Sequence, residues 1–152
     1  MTFPFFDAPL DTRYDREASD ALGADHWRVL APFRLMLSDR QWAAVPSGIL
    51  TDGGSIPRAM HGVIPPWGKF GQAYVMHDQL CEYLSLTVDG RPSPIARVRC
   101  DSLLYVGMEV LGGTPEEIAA VQAGVDLFRN AARVTRPSNR ALKRRLEAQW
   151  SA

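Results

Sequence analysis

The sequence predicts an α+β domain, mainly helical, in which a small antiparallel sheet leads into two antiparallel central helices and then C-terminal helices. Three observations carry this expectation. β-forming runs flank a Ser38-Asp39-Arg40 turn, apolar residues recur at helical spacing over 70–84 with a second such stretch at 95–111, and a capping signature at Thr114 opens a third helix. With 152 residues, 46% of them hydrophobic and 22% charged, the chain amounts to a single domain able to bury a core. It divides into an N-terminal arm (1–25), a core (26–134) and a basic C-terminal helix (135–152).

Residues 1–25 are rich in proline and aspartate without periodicity, so they read as an extended arm with one helical turn. Residues 26–37 and 42–50 form the sheet, with Pro32 and Pro46 suited to edges or bulges. Between Thr51 and Gly68, glycines and prolines prevent long regular elements and leave a constructed loop. In 70–84, Ala73, Met76, Leu80 and Leu84 form a core stripe, with Tyr74, His77, Asp78 and Cys81 on the stripe beside it. Residues 87–94 read as a turn-rich connector around Asp89-Gly90, short enough to make the helices on either side antiparallel neighbours. Gly112-Gly113 ends the second helix. Thr114-Pro115-Glu116-Glu117 supplies an N-cap, a proline at the first helical position and a glutamate at the third, starting a helix that runs to Val134. Arg136-Pro137 stops it, and Ser138 caps a last helix ending near Trp150.

No apolar stretch approaches the roughly 18 residues of a membrane span, and the N-terminus lacks the basic and apolar regions of a signal peptide. Two cysteines, Cys81 and Cys100, are too few for a disulfide framework and form no CxxC motif or Cys/His cluster, which speaks against a structural zinc site and a redox motif; they read as small buried hydrophobes. Net charge is zero but uneven: residues 1–25 hold six acids against two arginines, whereas 129–145 hold seven basic residues and no acid. The two ends can complement each other, or the basic segment can attract an anionic lipid surface. No specific nucleic-acid signal is present.

One constellation combines the residue types that catalysis needs: His77 and Asp78 in the first central helix, Asp101 in the second, and the loop Asp52-Gly53-Gly54-Ser55. Adjacent helical residues point about 100° apart, so the imidazole of His77 can handle a proton while the carboxylate of Asp78 holds a cation. Antiparallel helices would let Asp101 fix the tautomer of His77. Glycine at 53 and 54 allows main-chain carbonyls to approach a hard cation. A second arrangement, a metal phosphohydrolase, would draw on His61, His77, Asp78 and Asp101.

The run Val45-Pro46-Ser47-Gly48-Ile49-Leu50-Thr51-Asp52-Gly53-Gly54-Ser55-Ile56-Pro57-Arg58, followed by His77-Asp78-Gln79-Leu80 and Cys100-Asp101, resembles a family of uncharacterised proteins encoded mainly by phages and prophages, over residues 26–130. That resemblance implies a virion or an infected bacterial cell as the location. The His77, Asp78, Asp101 pattern also resembles small calcium-dependent phospholipases that cut the sn-2 ester. This second resemblance implies that His77 is the base, Asp101 its orienting acid, and Asp78 with Asp52, Gly53 and Gly54 the ligands of a divalent cation, calcium. The phospholipases carry a tyrosine where this chain has Cys81, and Tyr74, Tyr83 or Tyr105 is then expected to support Asp101. The expected function is metal-dependent hydrolysis of a phospholipid ester at a host envelope. The alternative is a tail or capsid protein, oligomeric with other virion proteins and without catalysis.

Overall fold

A computed structural model describes residues 2–53, 67–131 and 140–151. Gly54, Ser55 and His61 lie outside the described residues, as do the expected end of the third helix and the Ser138 cap. The elements in order are β1 (Phe5–Phe6), β2 (Thr12–Tyr14), α1 (Arg16–Leu22), β3 (Trp27–Val29), β4 (Phe33–Met36), β5 (Gln41–Val45), β6 (Leu50–Thr51), α2 (Gly71–Tyr83), β7 (Ser85–Val88), β8 (Arg91–Pro94), α3 (Arg97–Val110), α4 (Pro115–Ala131) and α5 (Arg140–Gln149).

The expected mainly helical domain with one small sheet is corrected by this inventory. Among the described residues, eight strands form two antiparallel sheets, one of five strands in the order β1-β4-β5-β7-β8 and one of three in the order β2-β3-β6. Two features account for the difference. The N-terminal arm contributes strands of two and three residues, too short for periodicity to reveal: Phe5 and Phe6 pair with Met36 and Leu35, and Thr12 to Tyr14 pair with Val29 to Trp27. The expected connector is a β-hairpin, with Val88 paired to Arg91 across Asp89-Gly90. Both turn residues have positive φ, 52° and 75°, which matches the right-handed twist of the strands. Pro92 and Pro94 are tolerated because β8 is an edge strand.

Alternation places Phe33, Leu35, Ala43 and Val45 inward from β4 and β5, and α2 lays Val75, Met76 and Leu80 against them. Leu84, expected in the core stripe, is instead the left-handed C-cap of α2 at φ 49° and is exposed, because the chain reverses there into β7. Helices α2 and α3 are antiparallel: Ala73 lies against Gly107, His77 bonds Asp101, and the Leu80 carbonyl receives the Cys100 thiol. Their approach is close, since a Cβ on Gly107 would fall 3.2 Å from the Ala73 Cβ and 3.3 Å from the Met76 Cε.

The α4 cap forms as read. Glu117 N–H donates to Thr114 Oγ1 at 3.2 Å and Thr114 N–H donates to Glu117 Oε1 at 3.1 Å. Helix α5 docks through polar groups, with Lys143 Nζ paired to Glu82 at 2.9 Å and Leu50 N–H donating to Glu147 at 2.9 Å, and just beyond its end the Trp150 ring covers Gly48. The Glu82 side chain is only 8% exposed, so part of the basic run is matched to a carboxylate of α2.

Candidate active site

Helices α2 and α3 bring His77 and Asp101 together. His77 Nε2 lies 2.7 Å from Asp101 Oδ1, and the two side chains are 12% and 4% exposed. At that distance the Nε2 proton is donated to the carboxylate, which fixes the ring tautomer and stabilises the imidazolium if a second proton arrives. Two further groups surround the pair, Arg97, which the sequence reading missed, and Cys81. Arg97 Nε stands 3.7 Å from Asp101 Oδ1, one helical turn earlier on α3, and offsets part of the cost of burying the carboxylate. Cys81 Sγ lies 3.3 Å from His77 Nε2, one turn later on α2. The i, i+4 spacing of His77 and Cys81 already places them on one stripe of α2, whereas Arg97, four residues before Asp101, gains meaning only once Asp101 is known to face His77.

Burial pushes the Cys81 thiol up to about 12, against the pull of Arg97 and with the help of Asp78, so Cys81 stays protonated and is no thiolate nucleophile. Burial raises the Cys100 thiol as well. The expectation that cysteines cluster with no histidine is corrected here. His77, Cys81 and Asp101 each offer a ligand atom, all within 4.8 Å of one another, and form a group able to hold a metal ion. Its nitrogen, sulfur and oxygen donors differ from the all-oxygen shell that calcium takes.

The remaining candidates are placed as follows. Asp78 is half-buried on α2, and Asp52 is exposed after β6. Gly53 is buried at φ 87°, and a Cβ there would fall 2.6 Å from the Trp67 Nε1, so both backbone angle and contact require glycine. Tyr74, expected near Asp101, sits in a separate cluster with Phe70, Leu104, Met108 and Val121. Burial raises its hydroxyl to about 12, with the Glu117 carboxylate adding to the shift. Tyr105 packs at the edge of that cluster, and Tyr83 is exposed beneath the Arg144 guanidinium. The group found beside Asp101 is Arg97 instead.

Fold and site together define an α+β protein of two antiparallel sheets with a buried His–Asp pair joining adjacent helices. The chain belongs to the DUF1353 family, described as a protein of unknown function, which matches residues 27–125 and therefore both members of the pair. No curated protein and no solved structure matches the chain. No described helix is long and apolar enough to cross a membrane.

Proposed function

We propose that the protein is a hydrolase in which His77 takes a proton from water and the water attacks an ester carbonyl. The observation that carries this reading is the 2.7 Å contact between Nε2 of His77 and the buried carboxylate of Asp101. With Nε2–H held by Asp101, the proton taken from water goes to Nδ1 and Asp101 balances the imidazolium; the tetrahedral intermediate then breaks its ester C–O bond, and the Nδ1 proton passes to the departing alkoxide, leaving a carboxylic acid, an alcohol and neutral His77. No acyl-enzyme forms, in keeping with a Cys81 thiol that stays protonated. Asp101 is a positioning residue and His77 the base.

The resemblance to sn-2 phospholipases supports a phospholipid ester as substrate, and the resemblance to phage proteins supports a host envelope as its setting. Calcium at Asp78 and the Asp52 loop belongs to the same reading. It carries no step here, because neither aspartate belongs to the converging group of ligand atoms among the described residues. For contact with an anionic surface, α5 offers the exposed Arg140 and Arg145, since Lys143 and Arg144 are turned to Glu82.

The test is fatty-acid release from mixed anionic phospholipid vesicles at low salt, with calcium and with chelator. His77→Ala lowers the rate by about 10²- to 10⁴-fold, the loss expected for removing a general base. Asp101→Asn, with the base still present, costs less. Release unchanged in His77→Ala contradicts the mechanism. In a second reading the chain is a structural protein of the virion without catalysis, and the largely buried pair only ties α2 to α3. Wild-type protein without hydrolytic activity that co-purifies with particles supports that reading.

A further inference from the structure

We propose that His77, Cys81 and Asp101 form a binding site for a transition metal of the zinc class, and that metal occupancy switches off His77 as a base. The inference rests on the hydrolase reading for its consequence but on separate chemistry for the site itself, because Cys81 has no part in proton abstraction from water.

The donors are arranged for chelation. His77 and Cys81 are four residues apart on α2 and so share one face, and Asp101 reaches the same point from α3. The Nε2 atom is 2.7 Å from Oδ1 and 3.3 Å from Sγ, and all three donors lie within 4.8 Å. In a tetrahedral zinc site, bond lengths of about 2.0–2.3 Å put such donors about 3.3–3.6 Å apart, so modest side-chain rotation opens the group to the required size. Imidazole nitrogen, thiolate sulfur and carboxylate oxygen are a borderline-soft set that suits zinc or cobalt and not calcium or magnesium. Among the described residues the site has three protein donors, one short of a tetrahedral shell. Arg97 is 44% exposed and can leave Asp101 without burying its charge.

Protons balance as follows. The Cys81 S–H bond breaks and its proton goes to solvent; the ring proton of His77 moves from Nε2 to Nδ1; the Asp101 carboxylate stays ionised. With Nε2 on the metal and the proton on Nδ1, the ring has no lone pair left to accept a proton from water. Metal-bound and base-competent forms are therefore exclusive.

The experiment titrates the full-length, reduced, metal-free chain with cobalt(II) and then zinc. Expected are one ion per chain, the intense visible bands of tetrahedral cobalt, a sulfur-to-cobalt charge-transfer band in the near ultraviolet, and displacement of cobalt by zinc. Cys81→Ala and the near-isosteric Cys81→Ser both lose the charge-transfer band and bind more than about 100-fold more weakly, beyond what an outer-sphere loss costs. Cys100→Ala, which alters a thiol outside the group, leaves both unchanged. Binding that survives both Cys81 substitutions, or is lost equally in Cys100→Ala, overturns the site. Zinc inhibits hydrolysis by wild type and chelator restores it, whereas Cys81→Ala and Cys81→Ser, whatever their own rates, lose that sensitivity to zinc. If wild type shows no hydrolysis yet binds metal through Cys81, the hydrolase reading fails while the metal site stands.

Discussion

A proton held between His77 and Asp101 decides what this pair of side chains can do. Asp101 is almost fully buried, and a lone buried carboxylate would be costly; its charge is offset by the Nε2–H donor at 2.7 Å and by Arg97 at 3.7 Å. The pair depends in turn on how closely its two helices approach, and Gly107 sets that distance six residues after Asp101. Gly107→Val introduces a branched side chain where a Cβ alone would already meet Ala73 at 3.2 Å. Overpacking there is expected to cost about 1–3 kcal/mol in denaturant unfolding and to lower any hydrolytic rate by displacing Asp101 from His77. An unchanged unfolding midpoint would show that the crossing has slack. At this scale the sequence was informative about residue types: His77, Asp78 and Asp101 stood out as proton and cation chemistry, and the structure joins the first to the third. Cys81 shares a helical stripe with His77 in the sequence itself, but the convergence of its thiol with Asp101 depends on how α3 packs against α2.

At the scale of elements, what was legible follows from length. Helices α2, α3 and α4 each repeat an apolar pattern over several turns, and Thr114 with Glu117 announces a start through side chains only three residues apart. Strands of two or three residues carry no period, so the pairing of β1 with β4 and of β2 with β3 left no signal in the arm. Nor could the docking of α5 be read, since the partners of Lys143 and Glu147 are 61 and 97 residues away. Arg28 organises that end of the molecule: it pairs with Asp15 at 2.9 Å and donates to the carbonyls of Gly48 and Leu146. Asp15 also caps α1 by accepting from Ala18 N–H at 2.9 Å. The Ala18 N–H and the Arg28 guanidinium hold the Asp15 carboxyl below its ordinary 3.8. Because the folded value is the lower one, the stabilisation is present above pH 3.8 and is lost as pH falls below it. Asp15→Asn keeps a capping side chain but no charge. Thermal unfolding should therefore show wild type melting higher than Asp15→Asn at about pH 6, with the gap closing below about pH 4. A gap that stays constant on acidification would contradict this account of Asp15.

For the whole molecule, the family match at 27–125 encloses the complete α2–α3 pair and the β7-β8 hairpin that joins it, while β1, β2, α1 and α5 fall outside and pack around it. The candidate chemistry is thus carried by two adjoining helices, elements rigid enough to hold a donor and an acceptor in register. That arrangement gives His77 a defined tautomer, on which both the hydrolase reading and its interruption by metal depend. The direct measurement is a long-range proton–nitrogen correlation spectrum of the imidazole rings in metal-free protein at a pH where His77 is neutral, with His77→Ala assigning its signals. The account predicts a ring protonated on Nε2 in wild type, with that preference weakened in Asp101→Asn. A neutral ring protonated on Nδ1, and indifferent to Asp101→Asn, would contradict it.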